Sequence, residues 1–297
     1  MNRLRDQYDA LLLDLDGTLY RGPEVIDGGP KALAPDGESA QRLVYVTNNA
    51  ARGPGPVAEH LAELGYPATT DDVVTSAQAA AGMLAHRLAP GSRVLVVGTD
   101  DLAAEITAVG LEPIRRFGDT PPDAVVQGHS PTTAWPDLAE AAYALRAGAL
   151  WIAANTDRTL PNERGLAPGN GSMVAALRTA SDREPLVAGK PFAPLMEDAL
   201  ERAGARAALV VGDRLDTDIE GANGLGLDSL LVLTGVSTLE DVLIAPPAQM
   251  PTFIATSLDA LNDDIVPEAV APAAVAELLR QHPGRAVRVR AVDSEIR

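Results

Sequence analysis

Residues 10–20 read ALLLDLDGTLY. Four apolar residues, Ala10 to Leu13, run into Asp14, Leu15, Asp16, Gly17 and Thr18, the pattern of a buried parallel strand arriving at a turn. In an open α/β sheet, ligands bind in the crevice beyond the carboxyl ends of such strands. Two carboxylates at i and i+2 repel each other there. A divalent cation relieves that repulsion most simply, and Mg²⁺ favours carboxylate oxygens beside phosphate. Turn chemistry alone offers a blander account, with Asp14 capping a helix and Asp16 closing a turn with Gly17.

Outward from that stretch the pattern recurs. LVYVTNN (43–49) is apolar until Thr47, Asn48 and Asn49, and ALVVGD (208–213) ends in Gly212 and Asp213. SLLVLTG (229–235) and a weaker TFIA (252–255) complete the set. Residues 20–30 read as a loop, and Pro35, Asp36 and Gly37 allow only a short or interrupted helix over 31–42. A helix over about 55–64 closes at Gly65, and another through 77–88 takes Ser76 as its N-cap.

A second βα rhythm follows, with strands at 93–98, 123–127 and 150–156 and helices at 101–109, 136–147 and 173–181. The short apolar stretch EPLVAG (184–189) leads to Lys190 and Pro191, and helices are expected at 193–203 and about 216–223. Strands ending in polar clusters lie in two blocks, 1–78 and 187–262. The fold class is therefore α/β: a discontinuous, Rossmann-like parallel-sheet core with an α/β domain inserted at 79–186. Residues 263–297 stand apart, with a helix at 271–281 and the alternating VRVRAV. They read equally as an extra βα element or as the start of something further.

The composition narrows the partners. The chain has 297 residues, 46% of them hydrophobic, enough for a sizeable core, and a formal charge of −17. An acidic surface disfavours nucleic acid and anionic membrane, though not an anionic substrate at a locally positive site. The absence of cysteine rules out disulfides and thiolate chemistry and fits the cytoplasm. No apolar run approaches the roughly 18 residues of a membrane span, and the N-terminus lacks a signal core.

Three further places carry chemistry-bearing residues. Thr47 and Asn48 at a strand end can hold phosphate oxygens, or simply cap a turn. Lys190, set between Gly189 and Pro191, is held more firmly than an ordinary loop lysine and can neutralise phosphate or carboxylates. GDRLDTDI (212–219) places Asp213 at a strand end and Asp216 and Asp218 at a helix start, where one of them could serve only as a cap.

Taken together, these four places resemble the motifs of the haloacid dehalogenase superfamily, on DLDGT (14–18), Thr47, Lys190 and GDRLDTD (212–218). An insertion between the second and third motifs is the pattern of the type with a large α/β (C2) cap. LDLDGTLYRG, VYVTNNA, the segment 154–177 and VAGKP are similar to the subfamily of N-acetylglucosamine-phosphate, phosphoglycolate, pyridoxal-phosphate and p-nitrophenyl phosphatases. The likeness covers roughly 8–260 and is greatest to actinobacterial glycerol-3-phosphate phosphatases. Two stretches depart from the pattern: PDGESAQ (35–41) replaces a regular helix, and GHSPTT (128–133) stands where the cap usually carries a Gly-x-Asp loop.

The resemblance implies a Mg²⁺-dependent phosphomonoesterase with Asp14 as nucleophile and Asp16 as general acid and base. Mg²⁺ would be held by Asp14, the Asp16 backbone carbonyl and Asp213. Thr47, the Asn48 backbone N–H and Lys190 would hold the phosphoryl oxygens, with Asp218 behind them orienting Lys190 or a metal-bound water. Asp216 is left as a cap or outer residue. The cap candidates for substrate contact are Asn155, Asp157, Arg158 and His129, each of which reads equally as a surface or turn polar residue. The modest Thr159 and Leu160 favour a small polar ester over pyridoxal phosphate. Glycerol 3-phosphate is the first expected substrate and 2-phosphoglycolate or another sugar or nucleotide phosphate the second. A phosphotransferase would use the same motifs. Cap surfaces in this subfamily often mediate dimers, which extends the analogy to a homodimer.

Overall fold

The computed structural model describes residues 3–35, 41–162 and 164–289. The chain forms two compact units. One comprises the residues up to Val46, Ala58–Val73 and those from Ala199 on; the other comprises Thr47–Val57 and Val74–Asp198. The second unit is wider at both ends than the insertion expected at 79–186.

In chain order, Ala10–Leu13 (β1), Tyr20–Arg21 (β2), Glu24–Val25 (β3), Gly29–Ala32 (α1) and Arg42–Thr47 (β4) come first. Pro54–Glu63 (α2), Val73–Thr75 (β5) and Ser76–Ala85 (α3) follow. Then come Arg93–Val97 (β6), Asp100–Ala108 (α4), Glu112–Ile114 (β7), Ala124–Gln127 (β8), Trp135–Arg146 (α5) and Leu150–Ala153 (β9). Thr159–Asn162 (β10), Gly165–Pro168 (β11), Asn170–Ser181 (α6), Leu186–Val187 (β12) and Ala193–Ala203 (α7) continue the chain. Ala208–Gly212 (β13), Glu220–Gly224 (α8), Asp228–Val232 (β14), Leu239–Ile244 (α9), Phe253–Ala255 (β15), Val266–Val270 (β16), Pro272–Gln281 (α10) and Val287–Val289 (β17) complete it.

An eight-stranded sheet runs β16-β17-β15-β14-β13-β1-β4-β5. β1 lies between β13 and β4 and is parallel to both. The chain builds from β1 to β4 and β5 on one side and later from β13 to β14 and β15 on the other, so the carboxyl end of β1 is a topological switch point, where a ligand crevice forms in such sheets. All four β1 residues are buried, as expected of a strand covered on both faces. A second sheet, β12-β9-β8-β6-β7, is parallel throughout. Its core packs Leu95, Val125 and Trp151 against Ala144, Leu145 and Leu177 of α5 and α6.

Several expectations give way to the structure. The loop expected over 20–30 contains the β2–β3 hairpin, and 159–168 forms the hairpin β10–β11. The N-cap of α3 is Thr75, not Ser76, because the Thr75 hydroxyl accepts the Gln78 N–H while the Gln78 side chain accepts the Thr75 N–H. The helix expected over 216–223 opens as a π-helical turn, Leu215–Ile219, a form that gathers at functional sites. Of PDGESAQ, residues 36–40 lie outside the described residues, as does the end of VRVRAV. The tail up to Val289 forms β16, α10 and β17; β17 runs antiparallel to β15 and extends the large sheet. Val275, Leu279 and Val287 from it join a core with Leu231 and Ile254. Among the described residues, no helix is long and apolar enough to cross a membrane.

Candidate active site

The first unit gathers acidic groups at its switch point. Asp14 directly follows β1 and Asp213 directly follows β13, while Asp218 is carried on the π-helical turn. Each of the three offers a carboxylate oxygen within 4.8 Å of the others, and Asp213 and Asp218 are buried. Three carboxylates so close, two of them buried, favour a cation, and an all-oxygen donor set suits Mg²⁺ or Ca²⁺. The donor set therefore fits the expected metal. Asp218 offers one of its carboxylate oxygens to this cluster.

Backbone groups lock the cluster. The Val236 N–H donates to Asp213 Oδ2 at 2.6 Å, and the Arg214 N–H donates to Asp218 Oδ2 at 3.1 Å. The Thr18 hydroxyl lies 3.4 Å from Asp213 Oδ1 and 3.5 Å from Asp14 Oδ2. Gly17 has φ +91°, and a Cβ there would fall 2.5 Å from Asp213 Oδ2. Glycine in DLDGT thus answers both to the left-handed turn and to the closeness of that carboxylate.

Asp16 keeps an open face to solvent. Partial enclosure nevertheless raises its carboxyl above the ordinary range, against a lowering hydrogen bond from the Gly22 N–H in the β2–β3 turn. A raised carboxyl that remains accessible is suited to proton transfer. Asp216 is held in an exposed pair with Arg214, at 2.8 Å from Nη2.

In the second unit a hydrogen-bond network centres on Asn48. Its side-chain oxygen accepts the Lys190 N–H at 2.7 Å, and its Nδ2 donates to the Lys190 carbonyl at 3.1 Å and to both Asp157 oxygens at 3.3 Å. Its backbone carbonyl accepts from Ser76 Oγ at 2.5 Å and Asn155 Nδ2 at 2.6 Å. Lys190 is 97% buried at this position, since only 3% of its surface is exposed. Gly189 permits the approach: a Cβ there would lie 2.5 Å from Asn48 Oδ1 and 2.7 Å from the Ala154 carbonyl. Thr47 is buried, and its hydroxyl accepts the Asn49 N–H at 3.1 Å.

The cap candidates separate. Asn155 and Asp157 belong to the Asn48 network, and Asn155 Oδ1 also accepts the Asp157 N–H. Arg158 is exposed, with its carbonyl accepting the Gly169 N–H and the Ser172 hydroxyl. His129 lies elsewhere, on a cavity it shares with Gln127. Sequence reasoning passed over Thr18, Ser76 and Gln127. Thr18 had the one signal available, its place within DLDGT; Ser76 and Gln127 read as a cap and a strand end.

Residues 11–112 match the family model described as haloacid dehalogenase-like hydrolase, and residues 187–261 match one described as HAD-hydrolase-like. A D-glycerol 3-phosphate phosphatase of Mycobacterium tuberculosis is 58% identical over 92% of this chain and 76% of its own. An acid sugar phosphatase of Staphylococcus aureus is 39% identical over 80% of this chain and 90% of its own. The crystal structure of the M. tuberculosis glycerol phosphate phosphatase in complex with magnesium superposes with a TM-score of 0.84 at 59% identity, covering 88% of this chain and 78% of that one. A thermostable NPPase from Geobacillus stearothermophilus gives 0.77 at 35% identity, covering 86% and 98%.

Proposed function

Because the chain belongs to the haloacid dehalogenase-like hydrolases, we propose that it is a Mg²⁺-dependent phosphatase that hydrolyses glycerol 3-phosphate to glycerol and phosphate. The observation that carries this is the triad of Asp14, Asp213 and Asp218 at the switch point of the large sheet, with carboxylate oxygens within 4.8 Å of one another. The 58% identity to a D-glycerol 3-phosphate phosphatase supports the choice of ester.

In this reading an Asp14 oxygen attacks phosphorus in line. The bond from phosphorus to the alcohol oxygen breaks, and the departing oxygen takes a proton from Asp16. Water then attacks the aspartyl phosphate, gives its proton to Asp16, and phosphate leaves with Asp14 restored. Asp16 needs a pKa above that of a free aspartate to serve in both halves, and its enclosure supports that. Asp14, Asp213 and the Asp16 carbonyl would hold Mg²⁺, with Asp218 beside them; the bound ion supplies charge neutralisation for carboxylates and phosphoryl group. Thr47, the Asn48 N–H and Lys190 bear the phosphoryl oxygens. Residues 79–186 act as the cap that selects the alcohol, and the chain pairs as a homodimer.

A phosphate-release screen over a panel of phosphate esters, with and without Mg²⁺, tests this. Glycerol 3-phosphate should give the highest kcat/KM, and 2-phosphoglycolate in first place would overturn the substrate. Phosphorylated acceptor accumulating when an alcohol is added, with free phosphate falling in step, would make the protein a phosphotransferase instead.

A further inference from the structure

Gln127 ends β8 in the middle of the five-stranded sheet, fully buried, yet neither Nε2 nor Oε1 has a hydrogen-bond partner among the described residues. Buried polar groups are paired in nearly all cases, and one left with both ends unmet calls for an explanation. Gln127 and its register partner Val97 on β6 both line a cavity of about 300 Å³, walled also by His129, Leu160, Asn162 and Met173. Among the described residues, no Lys, Arg, Asp or Glu lines it. Burial lowers the His129 pKa, which favours its neutral imidazole.

We propose that this cavity takes the uncharged, hydroxyl-bearing portion of the substrate, and that the Gln127 carboxamide selects for the hydroxyl. A carboxamide offers one acceptor and two donors, and a hydroxyl both donates and accepts. One hydroxyl can therefore answer both unmet ends of Gln127, which a methyl group cannot. None of the described wall residues carries a cation to neutralise a phosphoryl group, which in the proposed reading lies with buried Lys190.

The cavity is tied to that region by a relay of amides within the same unit. Asn170 Nδ2 donates to the Gln127 carbonyl at 3.3 Å and to the Asn155 carbonyl at 2.7 Å, while Asn155 Nδ2 donates to the Asn48 carbonyl at 2.6 Å. These bonds connect the β8 end to the residue that grips Lys190. The inference rests on the phosphatase reading, since it assigns the alcohol half of that substrate.

The test compares glycerol 3-phosphate with propyl phosphate, which lacks both hydroxyls, on wild type, Gln127→Leu and the unbranched Gln127→Met. Sites built to hydrogen-bond a hydroxyl discriminate strongly against analogues that lack it. In both variants the ratio of kcat/KM for glycerol 3-phosphate over propyl phosphate should fall at least tenfold, mainly through KM. The ligand-free variants should melt at or above wild type, because an unmet buried amide has been removed. An unchanged ratio overturns the inference, and so does an equal loss on both esters with a lowered Tm, which would mark Gln127 as merely structural. Wild type that releases no phosphate from glycerol 3-phosphate refutes instead the reading beneath it. Binding of the two esters to Asp14→Asn and to Asp14→Asn/Gln127→Met by calorimetry then decides the cavity without turnover: loss of the preference for glycerol 3-phosphate upholds the inference, and its retention or absence in both overturns it.

Discussion

Asn48 grips the main chain of Lys190 at two points, accepting its N–H at 2.7 Å and donating to its carbonyl at 3.1 Å. The pairing imitates one rung of a sheet, made by a side chain. It links a residue just past the end of β4 to one that lies 142 positions later, and it fixes the backbone from which the lysine projects. A phosphate-binding lysine works as a point charge and gains most from being held where charge develops.

Removing that grip should loosen Lys190 without removing its charge. Asn48→Ala is expected to lower kcat/KM by roughly 10- to 100-fold, in line with about 1.4–2.7 kcal/mol for lost positioning bonds. Asn48→Asp should do worse, since a carboxylate cannot donate to the Lys190 carbonyl and would face Asp157. Steady-state kinetics and the inhibition constant of inorganic phosphate check this. A phosphate affinity equal to wild type in both variants would contradict the role given to the clamp.

Much of this arrangement can be read from the chain, and the limits are physical. β1, β4 and β13 show because a strand buried on both faces is written as an unbroken apolar run, and Asp14, Thr47 and Asp213 show because each interrupts one. The hairpins β2–β3 and β10–β11 are too short for alternation to appear, and Pro23 and Pro161 disguise them. Ser76 reads as a cap because serine and threonine are interchangeable in that role; only the hydrogen bonds of Thr75 to Gln78 decide between them. The Asn48 network is invisible because the partners of an amide depend on what the fold brings near, and Gln127 because a polar residue ending a strand ordinarily meets water.

Asp14→Asn keeps the size of the side chain and removes one anion from the acidic cluster. Turnover should fall by at least about 10³-fold, as expected when a covalent nucleophile is lost, while the circular dichroism spectrum and cooperative melt persist. Substantial phosphatase activity in this variant would sink the nucleophile assignment.

Metal removal bears on stability as well as activity. With three carboxylates mutually within 4.8 Å, an ion bound to the folded state relieves their repulsion. Mg²⁺ at about 100 times its Kd should therefore stabilise the fold by roughly 2.7 kcal/mol. Excess EDTA should abolish activity and lower the Tm, and added Mg²⁺ should restore both. Asp218→Asn should weaken the Mg²⁺ dependence of the Tm; if the dependence stays as in wild type, Asp218 is no part of the metal-binding group.

Gly189→Ala tests the packing beneath the clamp. Its new methyl would sit 2.5 Å from Asn48 Oδ1 and 2.7 Å from the Ala154 carbonyl, both inside van der Waals contact. The Asn48 side chain can turn away, though only by giving up its bonds to Lys190. The Ala154 carbonyl is backbone just past β9 and yields less easily. A cost of about 1–3 kcal/mol is expected for such overpacking, read as a lowered urea midpoint with unchanged slope. Adding Asn48→Ala removes one of the two clashes, so the double variant should be less destabilised than the sum of the singles. Simple additivity would mean that the methyl is accommodated without disturbing Asn48, and that the grip on Lys190 does not depend on a glycine at 189.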